Sequence, residues 1–245
     1  MHVPELIDHL QDEGPRLLAA AQRAGWDAPV PRCEWDVRTL VVHTGGVHRW
    51  ATTVVGGRPV DETQAAHAAV GTGPSDAELP GWFLDGHAAL VTALREAPED
   101  LEAYTFLPAL SHLHFWARRQ AHETAMHRAD AEAAAGQITP FDLVFAQDGI
   151  AEMLQGFAAR RSTAIKRDAS MALRPTDGGA AWRLTFGGER TVAEQRGSAE
   201  PADTVLTGTS SDLCLWLWNR PSAAEVHGDA ELAGLWAQTV RVHWG

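Results

Sequence analysis

The chain has 245 residues, 45% hydrophobic and 21% charged, which suffices for one large domain or two small ones with a real core. Its net charge of −12 provides no basic footprint for nucleic acid. No apolar run approaches the roughly 20 residues that a membrane helix needs. The opening MHVPELIDHLQDEG has early acids and no apolar signal core, so the expected compartment is the cytoplasm. Cys33 and Cys214 lie far apart in no C-x-x-C pattern and imply neither a disulfide framework nor a cysteine zinc site. The unusual counts are 12 His and 10 Trp.

The first two thirds read as helices. Residues 4–24 place Leu6, His9, Leu10, Leu17, Leu18 and Ala21 near one face. Pro4 suits a first turn, while Pro15 is a potential break. A second helix follows Asp36 as N-cap, with Val37, Leu40, Val41, Thr44 and Val47 at helical spacing and Gly56-Gly57 as its stop. Residues 58–75 read as a Gly/Pro/Ala-rich connection. A third helix is expected after a cap at Ser75 or Asp76, ending before Pro98. A fourth covers HFWARRQAHETAMHRADAEAAAG and stops at Gly136. A fifth spans 139–167, with Thr139 as cap and Pro140 in the first turn.

Beyond about residue 168 the pattern alternates. Turns at Asp177-Gly178-Gly179 and Gly187-Gly188 predict hairpins. A strand then precedes a cap at Ser210 or Ser211 and an apolar helix. A short strand, a Gly-Asp turn and a last helix follow. The expected architecture is therefore a helical bundle over 1–168 and a small C-terminal α+β domain over 169–245.

The fourth helix contains His122, Glu123 and His127, close to the H-E-x-x-H metal motif but with the histidines five apart. Residues five apart are separated by about 140° around a helix, and residues four apart by about 40°. Glu123 and His127 can therefore share a metal, and His122 cannot join them. Asp130 and Arg119 fall on the same stripe. His43, in the apolar run of the second helix, supplies a third ligand, and Gly45-Gly46 leaves room beside it for another helix or a ligand. A His₂-carboxylate set with an open position is the pattern of catalytic zinc. His48, His87, His112, His114 and His122 are expected on the surface or in loops.

The segments EWDVRTLVVHTGGVHRWA and ARRQAHETAMHRADAE share W-x-x-x-x-L-x-x-H and E-x-x-x-H-x-x-D with a known group. They resemble the mycothiol-dependent maleylpyruvate isomerase family of the DinB-like superfamily, as does the C-terminal part with ADTVLTGTSSDLCLWLWNRPS and VHGDAELA. The resemblance implies a DinB-like bundle followed by a small α+β domain. It also implies a metal, usually zinc, on the positions matching His43, Glu123 and His127. Arg220, in WNRP, resembles an arginine that reaches the family's inter-domain cleft.

The leading expectation is thus an enzyme that uses zinc or another divalent metal together with mycothiol. It would add this low-molecular-weight thiol to an electrophilic small molecule, as an S-transferase or as a cis–trans isomerase. Arg119 and Arg220 are the candidate substrate- or thiol-binding cations, and Trp216 and Trp218 are candidate walls of the cleft. Two other readings keep the same ligands: a non-haem Fe(II) oxygenase, and a non-catalytic metal- or small-ligand-binding protein. The sequence leaves open the electrophile, the native metal and the oligomeric state.

Overall fold

The computed structural model describes residues 1–58, 71–196 and 200–242. Most of the connection expected over 58–75 lies outside them. The chain divides into two compact units, Met1–Thr139 and Pro140–Gly245.

Among the described residues, the first unit packs four long helices: α1 (Val3–Ala24), α2 (Val37–Val55), α3 (Leu79–Glu96) and α4 (His112–Ala134). In α1 the Glu5 carboxylate accepts from the His2 backbone N–H at 2.8 Å, which satisfies one exposed donor of the first turn. The helix continues through Pro15. Pro15 and Gln11 are both exposed, so the Gln11 carbonyl that loses its helical donor faces water. Asp36 caps α2 as expected, its carboxylate accepting from the Thr39 N–H at 2.7 Å.

The third helix starts later than expected. Ser75 donates its hydroxyl to Glu78 and closes a preliminary turn, and the regular helix begins at Leu79 with Pro80 in its first turn. Ser111 caps α4, and Gly136 just beyond its end takes the positive φ of 94°, a conformation that costs glycine nothing.

The core draws Leu6, Leu10 and Leu17 from α1, Leu40 and Val41 from α2, Phe83 and Leu90 from α3, and Trp116 and Ala125 from α4. The fourth helix is buried nearly all round: the run from Arg119 to Glu132 contains no exposed residue. Its polar groups must therefore be satisfied inside the protein.

The second unit begins with α5 (Leu143–Glu152). The fifth helix was expected over 139–167, and it is shorter at both ends. Its N-cap is Asp142, which accepts from the Val144 and Phe145 N–H groups. Thr139 instead donates to Glu132 at the end of the first unit. At the other end the chain widens into a π turn, Met153–Phe157, where the Ala158 N–H reaches the Met153 carbonyl. The Thr163 hydroxyl then covers the open carbonyls at Phe157, Ala158 and Arg160. α5 packs on a helix of the second unit, α6 (Ser210–Leu217), with Gln147 donating to Ser210 at 2.8 Å. Its packing therefore places it after the 139/140 division, whereas the boundary expected at 168/169 put it with the bundle.

Five strands follow: β1 (Ser170–Pro175), β2 (Trp182–Thr185), β3 (Val192–Gln195), β4 (Thr204–Gly208) and β5 (Glu225–Gly228). They form one sheet in the order β3-β2-β1-β4-β5, parallel between β1 and β4 and antiparallel elsewhere. Met171, Leu173, Trp182, Leu184 and Leu206 alternate onto its buried face. The two hairpins expected at the Asp-Gly-Gly and Gly-Gly turns are present. Thr209, one residue before the expected position, caps α6, and Asp229 caps α7 (Ala230–Thr239). The observed class is a helical bundle plus a small α+β unit.

Candidate metal centre

Long side chains on a helix lean toward its N-terminus and meet neighbours three or four residues earlier. On α4 this stagger builds a chain of contacts. His127 Nε2 lies 3.2 Å from Glu123 Oε1, and its Nδ1 lies 3.0 Å from Asp130 Oδ2. Arg119 Nη2 donates to the other Glu123 oxygen, Oε2, at 3.3 Å. From α2, His43 Nε2 approaches Glu123 Oε1 at 3.5 Å. One ligand atom each from His43, Glu123 and His127 falls within 4.8 Å of the others.

These three residues fit a divalent metal. Bonds of about 2.0–2.2 Å in a tetrahedron separate ligand atoms by roughly 3.3–3.6 Å, close to the 3.2 and 3.5 Å that separate Glu123 from the two imidazoles. The donors are two imidazoles and a carboxylate, a set suited to zinc and to non-haem iron. The contact between Asp130 and His127 fixes the imidazole with Nε2 turned to the centre, as outer carboxylates do for metal-binding histidines. Access is one-sided: the His43 side chain retains 12% exposure, against 3% for Glu123 and 6% for His127.

The electrostatics of this cluster are strongly coupled. Burial works against charge on His127, but the Glu123 and Asp130 carboxylates outweigh it and push its pKa up to about 9. Burial likewise opposes ionisation of Glu123, but His127, His43 and Arg119 hold it well below the usual carboxylate range. An anionic Glu123 is thus maintained in the interior by its neighbours.

Trp35 completes the surroundings. Its ring centroid lies 4.7 Å from that of His43 and 6.1 Å from that of His127. A tight turn positions it: the Val30 N–H donates to the Trp35 carbonyl at 2.9 Å, and Arg32 takes the left-handed φ of 61°. The W-x-x-x-x-L-x-x-H spacing contained this residue, but spacing alone gave it no part in the site. The room expected beside Gly45 belongs to a neighbouring helix. A Cβ at Gly45 would stand 2.3 Å from the Trp82 ring of α3, and Arg49 lies over that ring at 3.8 Å.

Four further histidines depart from expectation. His48, His87, His114 and His122 are buried, not superficial, because α4 is enclosed on every side and α1 and α3 pack closely. His48 Nε2 pairs with the Thr124 hydroxyl at 2.9 Å, and His87 Nε2 donates to the Leu10 carbonyl at 2.8 Å. Burial holds the pKa of both below the usual histidine value. His112, the first residue of α4, is partly exposed and accepts from the Ala103 N–H. Arg119, expected to bind substrate or thiol, is fully buried and paired with Glu123.

Arg220 belongs to the second unit. There Asn219, at φ 60°, ends α6, and the Arg220 N–H bonds back to the Leu215 carbonyl while the Asn219 N–H bonds to Trp216. This left-handed cap fixes the backbone from which the Arg220 side chain starts. Trp218 packs on Phe157 and Trp216 on Trp236, so both rings serve the packing of the second unit.

Comparison with known proteins agrees with this architecture. A family model described as the mycothiol maleylpyruvate isomerase N-terminal domain matches residues 7–132, and the model of that family's C-terminal domain matches residues 145–235. Among solved structures, the mycothiol-dependent maleylpyruvate isomerase is similar at 14% identity with a TM-score of 0.64. A histidine-to-alanine mutant of the same enzyme is similar at 13% identity with a TM-score of 0.65. Each alignment covers 92% of this chain and 93% of the other. A search of curated proteins returns no match. The two domain matches together span most of the chain, which belongs to the mycothiol-dependent maleylpyruvate isomerase family.

Proposed function

We propose that this protein is an enzyme that binds a divalent metal, zinc in the first instance, at His43, Glu123 and His127, and uses mycothiol to attack an electrophilic small molecule. The observation that carries this reading is the convergence of three ligand atoms from two helices within 4.8 Å, braced by Asp130 and Arg119. A metal bound there would lower the pKa of a coordinating thiol and supply a thiolate at neutral pH.

The protein's own residues do the rest. Asp130 holds the His127 tautomer, Arg119 neutralises and orients Glu123, and Trp35 forms an apolar wall against the two imidazoles. Attack of the thiol sulfur on an activated carbon, followed by rotation and loss of the thiol, gives cis–trans isomerisation. Retention of the adduct gives S-transfer. Thiol addition without isomerisation is the favoured outcome, because in the bundle the buried guanidiniums of Arg119 and Arg128 are committed to Glu123 and to Glu13 and Glu132. Arg220 is the candidate cation for substrate or thiol. A cytoplasmic location, where a thiol cofactor stays reduced, suits this chemistry.

The test is a progress curve of mycothiol consumption against a panel of electrophiles that includes maleylpyruvate. Metal-loaded wild type should turn over in a thiol-dependent manner, and His43→Ala should lose at least a hundredfold. Activity that persists without added thiol, or in His43→Ala, would overturn the reading.

A further inference from the structure

The two oxygens of Glu123 have different partners. Oε1 faces His127 Nε2 at 3.2 Å and His43 Nε2 at 3.5 Å. Oε2 takes a hydrogen bond from Arg119 Nη2 at 3.3 Å. Arg119 sits one helical turn before Glu123 on α4 and is fully buried. A guanidinium keeps its charge in such a place and needs an anionic partner. Its planar fork engages a carboxylate oxygen directionally, which a lone cation does not.

We infer that Arg119 is a positioning residue that makes Glu123 a one-oxygen metal ligand and so keeps the fourth coordination position open for the thiol. This inference rests on the metal site proposed above. A carboxylate can bind through one oxygen or both, and binding through both would fill the position that a catalytic site with three protein ligands leaves for an exogenous group. With Arg119 on Oε2, only Oε1 is available. Arg119 therefore acts on the chemistry through Glu123, and its burial keeps it from touching the substrate.

Cobalt(II) substitution tests this, because the visible bands of four-coordinate cobalt are several-fold stronger than those of higher-coordinate cobalt. The probes are cobalt(II) alone and then N-acetylcysteine as a monothiol. Wild type should bind one equivalent with strong bands and develop a sulfur-to-cobalt charge-transfer band on thiol addition. Arg119→Gln should still bind one equivalent, lose band intensity several-fold, and require roughly tenfold more thiol. Unchanged bands and thiol titration in Arg119→Gln, at full cobalt occupancy, would overturn the role of Arg119 and leave the metal site standing. Failure of wild type to bind cobalt would overturn the site and this inference together. Should Arg119→Gln not fold, the zinc-loaded wild-type crystal structure decides. Oε1 alone at bonding distance supports the inference, and both oxygens at bonding distance overturn it.

Discussion

At the scale of single residues, the centre combines groups whose burial would be costly one by one. Glu123, Arg119, His127 and Asp130 are all inside the bundle, and each carries a charge or accepts one from a neighbour. Removing one partner from such a set costs more than the contact itself contributes, because the other is left buried and unmatched. Asp130→Asn keeps the shape but weakens the hold on His127 Nδ1. It should lower metal affinity by roughly 10–100-fold, measurable by competition with a chromophoric chelator. Equal affinity in the variant would remove Asp130 from the site. The E-x-x-x-H pair and His43 were legible from spacing and from resemblance, because four-residue periodicity is a property of any helix. Trp35 and the buried His48 and His87 were not, because their places depend on how a turn and two further helices close over α2 and α4.

At the scale of elements, close packing around α2 and α3 sets limits that propensity alone would miss. Gly45→Ala would ordinarily stabilise a helix by about 1 kcal/mol. Here the new methyl would meet the Trp82 ring at 2.3 Å, and overpacking of this kind costs about 1–3 kcal/mol. Gly14→Ala meets the His87 ring in the same way, at 2.4 Å. Both variants should lower the denaturation midpoint in urea, and a raised midpoint would show that the rings can move aside.

The Asp36 cap sets an acid limit. Hydrogen bonds from Thr39 hold its carboxyl below the ordinary value, so its stabilisation is complete above about pH 4 and is lost as pH falls through the lower folded value. Asp36→Ala should cost about 1 kcal/mol at neutral pH, and the cost should shrink as pH falls below about 4, as read by urea denaturation at neutral and acid pH. The same level shows why helix ends were harder to read than helix existence. The third helix gives up its first turn to the Ser75–Glu78 contact. The fifth ends in a π turn because Thr163, six residues beyond Phe157, offers its hydroxyl to the open carbonyls. Neither event has a local sequence signature as strong as hydrophobic periodicity.

At the scale of the whole molecule, the division after Thr139 leaves the three proposed ligands, His43, Glu123 and His127, together with Arg119, Asp130 and Trp35 in the first unit. Arg128 ties that unit's end to its core, pairing with Glu13 at 2.7 Å and Glu132 at 2.6 Å while donating to the Thr139 carbonyl. A fragment of residues 1–139 should therefore fold and bind one metal equivalent, with its melting temperature raised by added zinc. A ligand at a hundred times its Kd stabilises by about 2.7 kcal/mol. A fragment that folds without taking up metal would contradict the placement of the whole site in the first unit. The pattern change at about residue 168 marked the start of the sheet and not the start of the second unit, since α5 reads as a helix whichever unit it joins.

Metal content by mass spectrometry is the most direct test of the proposed metal centre. The protein would be purified without a histidine tag or chelators, as wild type, His127→Ala and His122→Ala. Both histidines are buried on the same helix, so loss of packing is common to the two variants and only His127 is in the proposed ligand set. About one equivalent of metal is expected in wild type and His122→Ala, and loss in His127→Ala. Metal-free wild type, or metal retained in His127→Ala, would contradict the proposed centre.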